Sequence, residues 1–150
     1  MKQAVSIAPG EGESLSVLGA GVRFLCEAAR TDHGFSVMEV TLPEGAGPPP
    51  HDHPWDEAYY VLEGKVRFEI GDEIAVFGPG EFAYTPGGLV HAFSGASAQP
   101  SRVLVFDAPA AAEGFFREVD AENRAHPESA PDVVAIGLRH RMRFRVPPAA

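Results

Sequence analysis

Two short frames in this 150-residue chain gather side chains able to hold a cation. The first is Gly45-x5-His51-x-His53-x3-Glu57-x6-Gly64, and the second is Gly80-x5-Pro86-x-Gly88-x2-His91. Together they supply three imidazoles and one carboxylate, a complete ligand set for one divalent transition metal. Imidazole suits Fe, Ni, Cu and Zn, the carboxylate widens the range to Mn, and four protein ligands leave positions open on an octahedral ion. A structural zinc site is usually closed by four ligands, often with Cys, and no Cys lies near these frames. An open site is therefore expected, with one ion (Fe, Mn, Ni, Cu or Zn) per chain bound by His51, His53, Glu57 and His91. His51 and His53, two apart on an extended chain, share a face. Glu57 joins them if the chain stays extended through Trp55, and His91 must arrive from another strand, with Pro86-x-Gly88 turning the backbone towards the metal.

Those groups need a scaffold, and from Leu15 to about Phe106 the chain is a series of short apolar stretches broken by Gly and Pro. Candidate strands are Val22 to Ala29, Phe35 to Leu42, Glu57 to Leu62, Val66 to Ile70, Glu73 to Phe77, Phe82 to Thr85, Val90 to Ser94 and Arg102 to Asp107. Regular short strands with turn signals between them predict a β-sandwich or barrel. Alternation is cleanest where Val66, Phe68 and Ile70 oppose Lys65, Arg67 and Glu69. If Glu57 and His91 point inward, so do Tyr59, Val61, Leu89 and Phe93. With Phe68, Phe24, Met38 and Val40 they outline an apolar pocket beside the metal, with Tyr59, Val61, Phe68, Phe93, Met38 and Phe24 as its walls. Pro48-Pro49-Pro50 brings the chain into the first ligand segment stiff and extended.

Beyond Pro109 the pattern changes. Ala110 to Asp120 places Phe115, Phe116 and Val119 at helical spacing, and Ser129-Ala130-Pro131-Asp132 resembles a capping box opening a second helix through Val133, Ile136 and Leu138. Both helices are expected to pack on the outside of the barrel. The tail alternates Arg139, Arg141, Arg143 and Arg145 with His140, Met142, Phe144 and Val146, a period that places all four guanidinium groups on one side of a strand. Its natural partner is the chain's own acidic surface or a second subunit. Residues 1–109 are thus expected to form the barrel with its N-terminal strands, and residues 110–150 a helical extension and basic tail packed against it.

Bulk properties narrow the classes further. A net charge of −9 argues against nucleic acid and anionic membranes as partners. The first ten residues run from Met1 into Pro9 and Gly10 without an apolar stretch of signal-peptide or membrane-spanning length, so a cytoplasmic protein is expected. Cys26 has no second cysteine to pair with and sits in the apolar run Val22 to Ala29, where a buried inert thiol is expected. Apolar residues on both faces of Phe35 to Leu42 and Arg102 to Asp107 exceed what one barrel interior can take, which predicts a homodimer through a barrel sheet.

Both frames resemble, residue for residue, the two sequence motifs of the cupin superfamily, with one departure: Gly95 stands where the family pattern usually ends in Asn. The resemblance implies an all-β double-stranded β-helix, the cupin jelly roll, here followed by C-terminal helices. The block His51-Asp52-His53-Pro54-Trp55-Asp56-Glu57-Ala58-Tyr59-Tyr60-Val61-Leu62-Glu63-Gly64, with Glu113-Gly114-Phe115-Phe116-Arg117-Glu118 after the barrel, is similar to small single-domain cupins related to quercetin dioxygenases. That likeness implies His51, His53, Glu57 and His91 as ligands, a substrate bound through vicinal oxygens, and Glu57 as a possible catalytic base. Three classes fit such a site. They are an oxygenase acting on a small aromatic or enolic chelating compound, an isomerase or cyclase using the metal as a Lewis acid, and a non-enzymatic module binding a small molecule or metal.

Overall fold

The computed structural model describes residues 1–145. In chain order its strands are β1 (Ser14–Val17), β2 (Ala20–Cys26), β3 (Ser36–Leu42), β4 (His51–Asp52), β5 (Asp56–Glu63), β6 (Val66–Ile70), β7 (Glu73–Phe77), β8 (Phe82–Thr85), β9 (His91–Gly95), β10 (Ser101–Ala108) and β11 (Arg143–Phe144). Helices α1 (Glu113–Ala125) and α2 (Val133–Arg139) lie between β10 and β11. One sheet has six strands in the order β1-β2-β3-β10-β5-β8, and the other five in the order β11-β4-β9-β6-β7. All pairs of named strands run antiparallel. Two facing sheets joined in this way form the expected all-β jelly roll.

Alternation places the core between the sheets. Met38, Val40 and Leu42 of β3 point in, as do Tyr59 and Val61 of β5, Val66 and Phe68 of β6, and Val103 and Val105 of β10, all nearly inaccessible to solvent. Each such side chain contributes about 1.5–3 kcal/mol on burial. Hairpin chemistry falls where glycine signalled it. Gly64 (φ 71°) carries the chain from β5 to β6, and a Cβ there would sit 2.7 Å from Ser101 Oγ. Gly71 (φ 59°) turns β6 into β7.

Several elements differ from expectation. The stretch Val22 to Ala29 does not stay extended, because Ala28–Thr31 form a 3-10 turn. The two-residue strands β4 and β11 are too short to carry a visible period. The second helix is capped by Asp132, whose carboxylate accepts from Ala135 N at 3.0 Å, and not by a box starting at Ser129. The arginine tail is not one strand: Arg139 ends α2, Arg141 adopts a left-handed conformation (φ 60°), and only Arg143 and Phe144 pair as strand. Val146 lies outside the described residues.

The helices join the barrel's core, with Phe115 and Val119 of α1, Ile136 of α2, and Met142 and Phe144 buried in the same cluster as the strand residues. Asp107, at the end of β10, holds the start of this extension. Its Oδ2 accepts from Ala111 N at 2.9 Å and Ala112 N at 3.0 Å, while Ser36 Oγ donates to Oδ1. Buried Asp120 of α1 accepts from Ser16 N of β1 at 2.8 Å. No helix among the described residues is long and apolar enough to cross a membrane.

Candidate metal centre

The four ligand candidates reach one point from both sheets. His51 of β4 lies directly opposite His91 of β9, with ring centroids 4.3 Å apart. The strand ends at Asp52, and His53 lies in the bend that leads to β5. Glu57 therefore does not continue the extended run from His51 through Trp55. It belongs to β5 of the other sheet and meets the histidines from across the barrel. Its Oε1 is 3.2 Å from His53 Nε2 and its Oε2 3.5 Å from His91 Nε2. One nitrogen from each of the three histidines lies within 4.8 Å of the others.

Tautomers follow from the second ring nitrogen. His51 Nδ1 is 2.8 Å from Pro49 O, His53 Nδ1 is 2.9 Å from Trp55 O, and His91 Nδ1 is 2.9 Å from Leu89 O. A carbonyl oxygen only accepts, so each Nδ1 carries the hydrogen and each Nε2 presents a lone pair inward. His53 Nε2 and His91 Nε2 are buried without a hydrogen-bond partner. Unpartnered buried polar atoms are rare, and a cation supplies the missing partner. The three-histidine cluster can accept a metal ion.

Electrostatics agree with that donor set. Burial, then the charge of His91, lowers the His51 pKa from 6.5 to about 4, keeping this imidazole neutral at physiological pH. Burial alone would raise Glu57, yet a proton on His53 or His91, when either carries one, holds it well below the carboxylate range. Trp55 Nε1 donates to Glu57 Oε1 at 3.3 Å and Tyr59 OH donates to Oε2. Burial pushes the Tyr59 phenol well up, which keeps it a donor.

Residues 38–107, which contain all four ligand candidates, match the cupin domain family. Among solved structures, the polyketide cyclase RemF from Streptomyces resistomycificus is 24% identical with a TM-score of 0.64, covering 71% of this chain and 80% of that one. A predicted oxalate decarboxylase from Thermotoga maritima reaches a TM-score of 0.65 at 16% identity, covering 69% and 98%. Residues 38–107 of this chain carry a cupin domain, and the fold around them is the cupin jelly roll. A Streptomyces coelicolor relative, an uncharacterized protein, is 29% identical over 99 residues, 66% of this chain and 90% of that protein. These two solved structures share less than a quarter of their residues with this chain and so bear on its fold alone.

The departure from the cupin pattern at Gly95 has a steric cause. The strap entering β4 crosses here, with Gly45 N donating to Gly95 O at 2.9 Å and Gly95 N to Ala46 O at 3.0 Å. A Cβ at Gly95 would lie 2.4 Å from Pro43 O, so asparagine does not fit without moving the strap. The second motif docks similarly: Gly88 (φ 87°) donates its N–H to His53 O at 2.8 Å, fixing the bend that carries His53.

The apolar chamber beside this centre is lined by His51, Glu57, Phe93, Val40, Val105 and Val22, and is closed by Leu18, Phe115, Phe116 and Met142. Of the six wall residues expected from alternation, Phe93 lines this chamber. Phe24, Met38, Val61 and Phe68 are instead core packing, and Tyr59 is a buried donor to Glu57. Periodicity located the inner face except at Leu89, which precedes β9 and is 36% exposed, but not the depth along the barrel at which free space opens. Helix α1, expected chiefly as outer packing, supplies Phe115 and Phe116 to the chamber wall.

Asp52, between the two ligand histidines, carried no role in the sequence. It is almost fully buried and accepts from Arg143 Nε at 3.0 Å and Arg145 Nη2 at 2.7 Å. Burial opposes its charge, but the two guanidinium groups lower its pKa. Beside it Phe144 pairs with His51 across the strands, rings 5.3 Å apart, and Arg145 N donates to Pro50 O at 2.7 Å. The tail's arginines thus meet the chain's own acids: Arg143 and Arg145 meet Asp52, and Arg139 meets Glu118 at 2.5 Å.

Proposed function

We propose that this cupin binds one divalent transition metal through His51, His53, Glu57 and His91, and uses it for the oxygen-dependent oxidation or cleavage of a small aromatic or enolic compound. The substrate chelates through adjacent oxygens. The observation that carries this reading is the set of Nε2 lone pairs, aimed inward and in two cases unpartnered, at the end of an apolar chamber. Fe, Mn, Ni or Cu would supply redox capacity and a point of chelation there. The chain's own part is to orient and to exclude water. Aliphatic walls at Val22, Val40 and Val105 would face a flat ring once the chamber opens, and Phe115 and Met142 shut the end away from solvent. Ionised Glu57, steadied by Trp55 and Tyr59, takes the substrate's proton once it loosens from the histidines.

Oxygen uptake by protein loaded in turn with Fe, Mn, Ni and Cu, offered flavonols, catechols and β-diketones, tests the reading. Uptake with at least one pairing is the expected result. Tight binding of an unoxidised ligand with no uptake for any metal overturns it in favour of Lewis-acid isomerisation or cyclisation, or simple binding. Glu57→Gln should bind the same ligand within a few-fold while losing turnover by about a hundredfold or more, the usual contribution of a positioned base.

The same reading includes a homodimer and a cytoplasmic setting. Phe35, Tyr60, Phe82 and Tyr84 are 40–58% exposed on the outer face of the six-stranded sheet, beside partly exposed Leu104 and Phe106. The unpaired Cys26 suits a reducing compartment. Light scattering at micromolar concentration should give twice the monomer mass, and Tyr60→Asp with Phe82→Asp should return it to one. A monomer in the unaltered protein refutes the dimer.

A further inference from the structure

The turn between β1 and β2 has an uncommon occupant. Both central residues have positive φ, Leu18 at 53° and Gly19 at 78°. This is the pattern of a type I′ hairpin turn, which favours Asn, Asp and Gly. Leucine in the left-handed region costs about 1–2 kcal/mol and persists where its surroundings hold it. Here the side chain packs against the core. Among the described residues, Leu18 is also the one that lines both of two neighbouring cavities.

On its inner side is the chamber that ends at His51 and Glu57, with a free volume of about 40 Å³. On its outer side lies an open depression of about 560 Å³ between the hairpin and the helical segment, bordered by Ser16, Val119, Asn123, Pro127, Pro131 and Val133. A dry cavity needs about 150 Å³ to take a benzene ring, so the inner chamber must open before it holds any ring compound. The choices for what moves are few. Phe115 and Met142 are buried in the core, and half-buried Phe116 sits on α1 with its ring edge-on to that of Phe115, whereas Leu18 stands on a hairpin tip, where a rotamer change breaks no strand hydrogen bond. The opposite approach, a depression bordered by His53, Leu138 and Arg141, is blocked by the His53 ring. That ring is stacked on Trp55 at 4.1 Å and tied through Nδ1.

We propose that Leu18 is the gate of the chamber, and that the ligand enters from the outer depression past the β1–β2 turn. The ligand class, a flat ring with adjacent oxygens at one end, rests on the function proposed above. The gate also sets specificity, since the space freed by one leucine side chain limits the width of the ring that passes.

The test uses zinc-loaded protein, which binds a chelating ring without redox turnover, and 2,3-dihydroxynaphthalene as the probe. Association and dissociation are followed by stopped-flow quenching of Trp55. Leu18→Ala should raise both rates roughly tenfold with little change in Kd, as expected when a conformational step limits entry. Leu18→Asn, which suits the left-handed turn and so preserves folding, should do the same. Leu18→Phe should slow both rates, and Leu138→Ala on the opposite approach should change neither. Unchanged rates in all Leu18 variants, a rise confined to Leu138→Ala, or no binding even with Leu18→Ala overturns the gate. Because zinc drives no oxygen uptake, a failed dioxygenase assay leaves this result standing, and a failed gate leaves the dioxygenase assay standing.

Discussion

His53→Ala should lower the affinity for divalent transition metal by more than roughly a hundredfold, since loss of a mere outer hydrogen-bond partner already costs up to about that much. The imidazole is replaced by a methyl group, and no other described nitrogen, oxygen or sulfur ligand joins the three-histidine cluster apart from Glu57, already counted. The fold should survive, because His53 lies in a bend and not in a strand ladder. Its backbone carbonyl keeps the bond from Gly88 N. Competition against a chelator of known affinity, with circular dichroism as the folding control, gives the answer. Stoichiometric metal at unchanged affinity in the variant would show that His53 is not a ligand.

Acid should destabilise the metal-free protein before most carboxylates titrate. His51 has a pKa of about 4 in the fold against 6.5 for the unperturbed group. Between those values the unfolded chain binds a proton that the folded chain refuses, so stability rises with pH across the window and falls as pH drops through it. At 1.36 kcal/mol per pH unit, the loss approaches about 3 kcal/mol near pH 4. Glu57 acts in the same direction lower down: its folded pKa is depressed, so its contribution is present above the unfolded pKa and is lost on further acidification. Urea midpoints of chelator-treated protein at about pH 7 and about pH 4.5 measure the slope. Equal midpoints would contradict the burial of a neutral His51.

Much of this molecule is visible along the chain because the relevant physics is local. Alternation in β3, β5, β6 and β10 places Met38, Tyr59, Phe68 and Val103 on one face wherever those strands pair. The ligand spacing is likewise readable, since His51 and His53 need only a few residues of backbone to converge. What stays hidden depends on partners far along the chain. β4 is two residues long and exists because β9 and β11 pair with it. The regular arginine spacing after Leu138 suggests one strand, but helix capping and a left-handed residue at Arg141 break it. Asp52 looks like a spacer within His-x-His until Arg143 and Arg145 arrive. The position of the chamber depends on where Phe115, Phe116 and Met142 come to rest, and no periodicity within the barrel strands encodes that.

The staple between β11 and β4 joins residues 91 positions apart, Asp52 and Arg143. On this segment, Phe144 touches His51, and neighbouring Met142 closes the chamber. Binding free energies are reciprocal: whatever closure of the staple adds to the affinity of His51 and His53 for a cation, the cation returns to closure of the staple. Loading the centre and sealing the apolar chamber would thus be coupled, with the ion acting as an effector of the chamber's own wall.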